Sequence, residues 1–390
     1  MRYLLFLLSI FIISAILDFN LLMLIFILYC IAAAIQLFFY LWFYLAPAFY
    51  KHNDSPRNEL PPLSVIICAR NESANLKRFL PLVLEQDYPS FEVIVVNDCS
   101  EDDTYQVLGE MLSKYQNLKI STINKDPSFS HSKKFAQFIG IKAASNELLV
   151  FTDADCYPVS DKWLRMMASG FSKGIDFVIG YGGFIAEKGL LNRYQRYEAM
   201  FIAMQYLGMA IRGIAYMAVG RNFAYRKDVF FRNKGFGRYN HIASGDDDLF
   251  VNRNARASSV KVEFRKDAHT RSPAAHGLNE WANRRMRHMT TARYYKLIHK
   301  ILLVAEPLSR LIFYITFIWL ILDMFLWQYV AGIFLIRLAI MFATFYTNMK
   351  KLDEKGLLPF ILIFDLFSPL INIILYSGTL REKSLRKAWK

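Results

Sequence analysis

Two aspartates one residue apart, Asp153 and Asp155, close the apolar run Leu148-Leu-Val-Phe151. Carboxylates at i and i+2 can converge on one side of an extended turn. A hard divalent cation such as Mg2+ or Mn2+ takes one or two carboxylates together with phosphate oxygens and water, which this pair could supply. A solvated turn or a helix cap is the plain use of the same pattern, so its company decides. Further along, Gly245-Asp-Asp-Asp248 sets three carboxylates side by side. Adjacent like charges raise at least one carboxyl pKa towards the range of a general base. The run Trp281-Ala-Asn-Arg-Arg-Met-Arg-His288 concentrates Arg284, Arg285 and Arg287. A guanidinium can grip a diphosphate in a bidentate fork, and the same run suits a basic helix on anionic headgroups. The two uses are compatible.

The elements around these residues read as α/β. Ser64 to Cys68, Glu92 to Val96, Leu118 to Thr122 and Leu148 to Thr152 are short strands. Between them Asn75 to Glu85, Thr104 to Tyr115 and a segment from about Lys133 to Ala144 have helical periodicity. Alternation of this kind implies a parallel sheet, and ligands collect beyond the carboxyl ends of its strands. Arg70-Asn-Glu72, Asn97-Asp98 and Asp153-Ala-Asp155 all fall at such ends. Taken singly, Asp98 reads as a helix cap and Lys133 as a first-turn lysine. Tyr194 to Met217, rich in Met, Phe and Tyr, reads as a core helix or as an amphipathic helix resting on a membrane.

The 390 residues exceed one ordinary domain, and the apolar excess (54%) sits at the two ends. Tyr3 to Leu17 resembles a signal-peptide core without a cleavage site, and is either the first half of a hairpin or interfacial. Leu21 to Tyr50 carries no charge and is long enough to span a bilayer. Lys51, His52 and Arg57 follow, which places the next domain in the cytosol. Apolar runs return at Leu311 to Leu322, Met324 to Ile336, Leu338 to Met349 and Leu357 to Tyr376, broken by Asp323, Arg337, Asp365 and Pro369. Two or three spans fit; three would put the basic tail outside, so one segment reads as re-entrant or interfacial, and Leu357 to Tyr376 is the candidate because Asp365 and Pro369 interrupt it. The chain therefore divides into a membrane segment (1–50), a linker (51–62) around Pro56 and Pro61-Pro62, a cytosolic catalytic domain (63–300), a membrane region (301–377) and a basic tail (378–390). The net charge of +14 suits anionic membrane lipids and a phosphate substrate, and no nucleic-acid module accompanies it. Cys30, Cys68, Cys99 and Cys156 form no CxxC pair and lack histidine partners, so reduced thiols are expected rather than zinc or disulfides.

In this order, Val65-Ile-Ile-Cys-Ala-Arg-Asn-Glu72, Val93-Ile-Val-Val-Asn-Asp-Cys-Ser100, Phe151-Thr-Asp-Ala-Asp155 and Gly245-Asp-Asp-Asp-Leu249 resemble family 2 glycosyltransferases of the GT-A fold. The similarity covers roughly residues 60 to 290. It implies a Rossmann-like nucleotide-sugar-binding domain flanked by transmembrane helices, of the polysaccharide synthase and lipid glycosyltransferase branch that serves the cell envelope at the plasma (inner) membrane. It further implies metal-dependent, inverting transfer from a nucleotide-diphosphate sugar to a lipid-linked or glycan acceptor. Carried over residue by residue, Ala69, Arg70 and Glu72 match the first nucleotide-binding turn, and Asp98 the aspartate that binds the base. Lys133 stands where relatives place a lysine near the nucleotide, while Asp153 and Asp155 match the carboxylates for the sugar and the metal-bridged diphosphate. The cluster Asp246, Asp247, Asp248 matches the general-base motif, with the base at Asp246 and Asp247 its rival, because Gly245 stands where a glutamate is common. Of the Gln-x-x-Arg-Trp motif of processive synthases only Arg287 is kept. Arg284 and His288 replace the glutamine and the tryptophan, so processivity is not implied.

Two other readings compete. A nucleotidyltransferase would carry a glycine-rich, lysine-bearing loop after the first strand, and Cys68-Ala-Arg-Asn-Glu72 is not one. A non-catalytic membrane scaffold or export partner would keep the fold but tolerate loss of the acidic clusters, and both are intact.

Overall fold

The computed structural model describes residues 2–52, 60–124, 132–240, 242 and 244–381, with side chains from residue 18 to residue 379 within those ranges. Pro56 and Arg57 of the linker, His131, His241, and the tail residues Lys383, Arg386, Lys387 and Lys390 lie outside them.

The N-terminal apolar stretch is one helix, α1 (Arg2–Phe38). Asp18-Phe-Asn20 does not turn the chain, so no hairpin forms. A tightly packed aromatic π-helical turn, Phe39–Tyr44, and a short α2 (Ala46–Phe49) lead out of it. The catalytic domain then alternates as its periodicity predicts: β1 (Leu63–Ala69), α3 (Ser73–Leu84), β2 (Phe91–Asp98), α4 (Thr104–Leu112), β3 (Leu118–Ile123), α5 (Lys133–Ala143) and β4 (Leu148–Phe151). β5 (Tyr157–Pro158), α6 (Trp163–Ser169), β6 (Phe177–Gly180), β7 (Gly182–Phe184), α7 (Leu190–Ile211), β8 (Phe223–Arg226), α8 (Lys227–Arg232), α9 (Asp248–Asn254), β9 (Val260–Glu263), β10 (Thr270–Ser272) and α10 (Leu278–Met289) complete it.

Among the described residues the main sheet runs β3-β2-β1-β4-β8-β6-β9. β3, β2, β1 and β4 are parallel, in a register that pairs Ala69 with Asn97 and Ile66 with Phe151. Their carboxyl ends therefore share one edge. β8 turns antiparallel, pairing Phe223 with Phe151, and so starts at that same edge. The first strands are apolar on both sides because both faces are covered. One face packs on α3, α4 and α6 through Leu76, Leu80, Leu108 and Trp163, and the other on α5 and α7 through Ala136, Ile141 and Tyr206. α7 is thus a core helix, walled between sheet and bundle, and not a helix resting on the surface.

Beyond the domain come α11 (Leu297–Leu322), α12 (Trp327–Lys351) and α13 (Ile361–Arg381). Among the described residues four stretches are long and apolar enough to cross a membrane: Asp18–Phe49, Leu297–Leu322, Trp327–Lys351 and Leu358–Thr379. Arg337 does not divide two runs. It lies fully buried in the middle of α12, where its guanidinium meets Asp365 of α13 at 2.7 Å and Gln36 of α1 at 3.0 Å. Arg310 of α11 joins Asp365 at 3.2 Å and Glu306 at 2.5 Å, and the Tyr314 hydroxyl donates to Asp365 at 2.6 Å. Two cations and two anions neutralise one another, so polar residues that break the hydropathy pattern become its internal tie.

The bundle is fastened to the catalytic domain at two places. Between α12 and α13, Glu354 is buried and accepts from Tyr181 at 2.9 Å, from Arg196 at 2.9 Å and from Arg271. On α7, Gly208 lies so close to the π-helical turn that a Cβ there would stand 2.1 Å from the Phe43 carbonyl oxygen. Backbone on both sides leaves nothing to swing aside. Gly208→Ala is therefore expected to cost about 1–3 kcal/mol, seen as a fall of several degrees in Tm of the detergent-solubilised protein, as overpacking does elsewhere.

Candidate active site

The shared sheet edge gathers most of the residues singled out in the sequence. At the end of β1, Ala69 and Arg70 lead into Asn71, whose backbone is left-handed (φ 56°). Asn71 is braced against the loop after β2: its N–H donates to Ser100 Oγ at 2.9 Å, and its side-chain oxygen accepts from the Glu101 N–H at 2.8 Å. Asp102 seals the same contact. Burial would raise its carboxyl, but hydrogen bonds from Ser73 and Thr104 outweigh that and hold it at about 2. Asp98, at the end of β2, is fully buried. It does not cap α4, which starts six residues later at Thr104.

Glu72 turns towards the metal-ligand candidates. Burial raises its pKa, the amide of Asn75 at 2.6 Å lowers it, and the charges of Asp155 and Asp153 raise it again. Asp153, Asp155 and Cys156 bring their ligand atoms within 4.8 Å of one another. Burial and the neighbouring Asp153 both raise Asp155. Two carboxylates this close are a donor set that fits Mg2+ or Mn2+. Cys156 was not expected there. Its signal in the sequence was adjacency to Asp155, and its thiol now lies 3.3 Å from that carboxylate.

Lys133 is the hub. Ser132 caps α5, accepting from the Phe135 N–H at 3.3 Å, and so sets Lys133 on the first turn. Its ammonium reaches Asp153 at 2.7 Å and Asp246 at 3.2 Å. Burial lowers its pKa, but the charges of Asp153, Asp246 and Asp247 outweigh that and raise it. For Asp153 the opposite holds: burial raises it and the Lys133 charge brings it below the ordinary value.

The second acidic cluster is sorted by its hydrogen bonds. Gly245, at φ +103°, turns the chain into it, a backbone that a glutamate would occupy only with strain. The Asp247 carboxylate accepts from the Gly220 N–H at 2.5 Å and the Asp248 N–H at 2.7 Å. Burial, Asp246 and Asp248 raise its pKa well above the ordinary value. Asp248 accepts from Thr291 and from the Tyr295 hydroxyl at 2.6 Å, so it anchors the segment joining α10 to α11. Its other oxygen accepts from the Leu249 N–H at 2.7 Å, so of the three aspartates it is the one tied to this anchor. Asp246 is buried and meets the Lys133 ammonium.

α10 stands across from the carboxylates. Arg284 pairs with Glu280 at 2.7 Å, and its charge is close enough to act on Glu72 and Asp155. Arg287 and His288 lie on its last turn, and Arg287 has no ion pair among the described residues. Glu198 of α7, absent from the sequence-based set, holds the helix by pairing with Arg285 at 2.8 Å and accepting from the Trp281 indole at 3.1 Å. No local pattern marks Glu198, since its role exists only where α7 and α10 meet. His269 is buried with its ring 2.8 Å from the Phe264 carbonyl, and His276 is exposed. The four cysteines are free. A cavity of about 300 Å³ between α5 and α8, lined by Phe135, Phe138, Phe230 and Phe236, lies off this cluster. Removing the hydroxyl that anchors Asp248, in Tyr295→Phe, should cost about 1.5–3 kcal/mol, as loss of a hydrogen bond to a charged group does. A thermal melt of the purified protein checks it.

Residues 64–232 match the model of Glycosyl transferase family 2. Glycosyltransferase AglE of Haloferax volcanii is 31% identical over 212 residues, which is 53% of this chain and 66% of that protein. Probable glycosyltransferase YdaM of Bacillus subtilis is 28% identical over 183 residues, 46% of this chain and 43% of that protein. The chain therefore spans somewhat under two thirds of the first of these relatives and under half of the second. Among solved structures, the mannosyltransferase PcManGT from Pyrobaculum calidifontis, in complex with GDP-Man and Mn2+, superposes with a TM-score of 0.56 at 17% identity. The match covers 89% of this chain and 99% of that one. That likeness is one of fold, and the fold is GT-A. The sheet that ends in these carboxylates thus lies within a stretch, residues 64–232, that matches glycosyl transferase family 2, and the relatives found are glycosyltransferases by name.

Proposed function

We propose that the protein transfers a sugar, with inversion, from a nucleotide-diphosphate donor to a hydroxyl of a lipid-linked or glycan acceptor at the cytosolic face of the plasma (inner) membrane. The observation that carries this reading is the double contact of Lys133. One ammonium touches both Asp153 and Asp246, so the carboxylate assigned to the donor and the one assigned to the acceptor lie no more than about 6 Å apart. A displacement at the anomeric carbon needs such a pair, with a base on the acceptor side and phosphate binding on the leaving side.

In this scheme Ala69, Arg70, Glu72 and Asp98 form the nucleotide site. Asp153 and Asp155 would hold a divalent cation, Mg2+ or Mn2+, with Cys156 beside them. Such an ion, when bound, neutralises charge on the diphosphate. Asp246 accepts the proton of the acceptor hydroxyl. Asp247 is the weaker choice because two backbone N–H groups already hold it. Lys133 holds Asp153 and Asp246 in place, and Arg287, with Arg284 and His288 beside it on α10, meets the departing phosphate. The net positive charge and the basic face of α10 suit anionic lipids. Lys51 after α1 and the basic tail support a cytosolic catalytic domain.

The test begins with a screen of nucleotide sugars against the protein in nanodiscs, scoring nucleoside diphosphate release and the mass of the product. Release of pyrophosphate instead would point to nucleotidyl transfer. With the donor found, Asp246→Asn should lower kcat by about 10²- to 10⁴-fold, the usual share of a general base, with donor KM little changed. Asp155→Asn should weaken metal-dependent donor binding itself, read by calorimetry. Turnover at the native rate in Asp246→Asn would remove the base assignment.

A further inference from the structure

The membrane-facing helices differ in where their ends lie. Three of them reach the end of the bundle remote from the catalytic domain. There Phe19 of α1 packs against Phe325, in the turn from α11 to α12, at 5.7 Å. Tyr29 of α1 donates to the carbonyl of Val330 near the start of α12 at 2.9 Å. α12 then runs back to the catalytic domain, where Glu354 meets Arg196 of α7 and Arg271 of β10.

α13 sets out from this catalytic side. Phe360 lies under the Arg193 guanidinium of α7 at 4.9 Å, and Phe364 packs on Tyr194 and Tyr197 of α7 at 5.2 Å. A turn later Ser368 accepts from Arg310 at 2.9 Å, and Arg310 itself stacks on Phe201 of α7 at 4.7 Å. At 1.5 Å per residue, a helix crossing the bilayer would carry Gly378 about 20 Å deeper than Phe364. Gly378 instead lies against α10, so close that a Cβ on it would come within 2.8 Å of Met286 Sδ. α10 belongs to the catalytic side. Its Trp281 packs edge-on against Tyr194 at 5.5 Å, the same ring that Phe364 touches, and Glu198 holds it. α10 buries none of its residues and carries three arginines, which excludes it from hydrocarbon. Both ends of α13 thus rest on one side of the molecule. Its free face is apolar: Ile363, Phe367, Leu370 and Ile374 are exposed at the spacing of a single helical stripe.

We infer that α13 does not cross the bilayer but lies in the plane of the leaflet on the catalytic side, its exposed stripe in the acyl layer and its end beside α10. The chain then crosses three times, through α1, α11 and α12, and α13 ends at Arg381 on the side of the catalytic domain. α13 and α10 thus meet beside the active site, where His288 of α10 is close enough for its charge to act on Asp153. The inference rests on the membrane placement given above but not on the sugar transfer, so either can fail alone.

Two measurements test it. In sealed vesicles of each orientation, protease added outside should remove a C-terminal epitope in the orientation in which it also digests the catalytic domain. In proteoliposomes, the emission added by Ile374→Trp should be quenched more by lipids brominated near the headgroup end of the chain than by lipids brominated near its methyl end. Epitope removal in the opposite orientation, or stronger quenching by the deep bromines, would overturn the proposal.

Discussion

Carboxylates repel, and this fold brings Asp153, Asp155, Asp246 and Asp247 to one edge of one sheet. In a groove short of water such crowding is tolerated only with a cation among them. Lys133 is that cation. It stands on the first turn of α5, where Ser132 starts the helix, and touches the first acidic cluster and the second together. The same excess of negative charge that the ammonium offsets suits the edge to a divalent ion and a diphosphate.

A similar rule governs the membrane bundle. Asp365, Arg310, Arg337 and Glu306 are buried among apolar helices, where an unpaired charge would be costly. Paired, they tie α11, α12 and α13 together at a fixed height. Phe201 and Tyr197 of α7 pack on this node, and the next residue of α7, Glu198, holds α10. Packing therefore links bundle, α7 and α10 in sequence, and brings the Arg284 charge near Glu72 and Asp155.

Much of the fold was legible because its signals are local. Strand, helix and strand-end polar clusters repeat within short windows, and β1, β2 and β4 end where their sequences turn polar. The carboxylate pair and the acidic triplet were visible for the same reason. The C-terminal region was harder. Hydropathy treats each charge as a break, so Arg337 appeared to split α12 in two, whereas its partner Asp365 lies on another helix. The choice among Asp246, Asp247 and Asp248 was equally closed to inspection, since it depends on donors from Gly220, Thr291 and Tyr295.

By itself, then, the sequence determined the α/β alternation, the apolar ends, and the order and type of the charged clusters at strand ends. These follow from side-chain chemistry and from periods of two and 3.6 residues, which act between near neighbours. Tertiary structure decided which acid is held by backbone N–H groups and which meets Lys133, which glutamate positions α10, that Cys156 lies beside Asp153 and Asp155, and that the end of α13 packs on α10. Each of those is a contact between residues far apart in the chain, set by hydrogen-bond direction and by how closely two backbones approach.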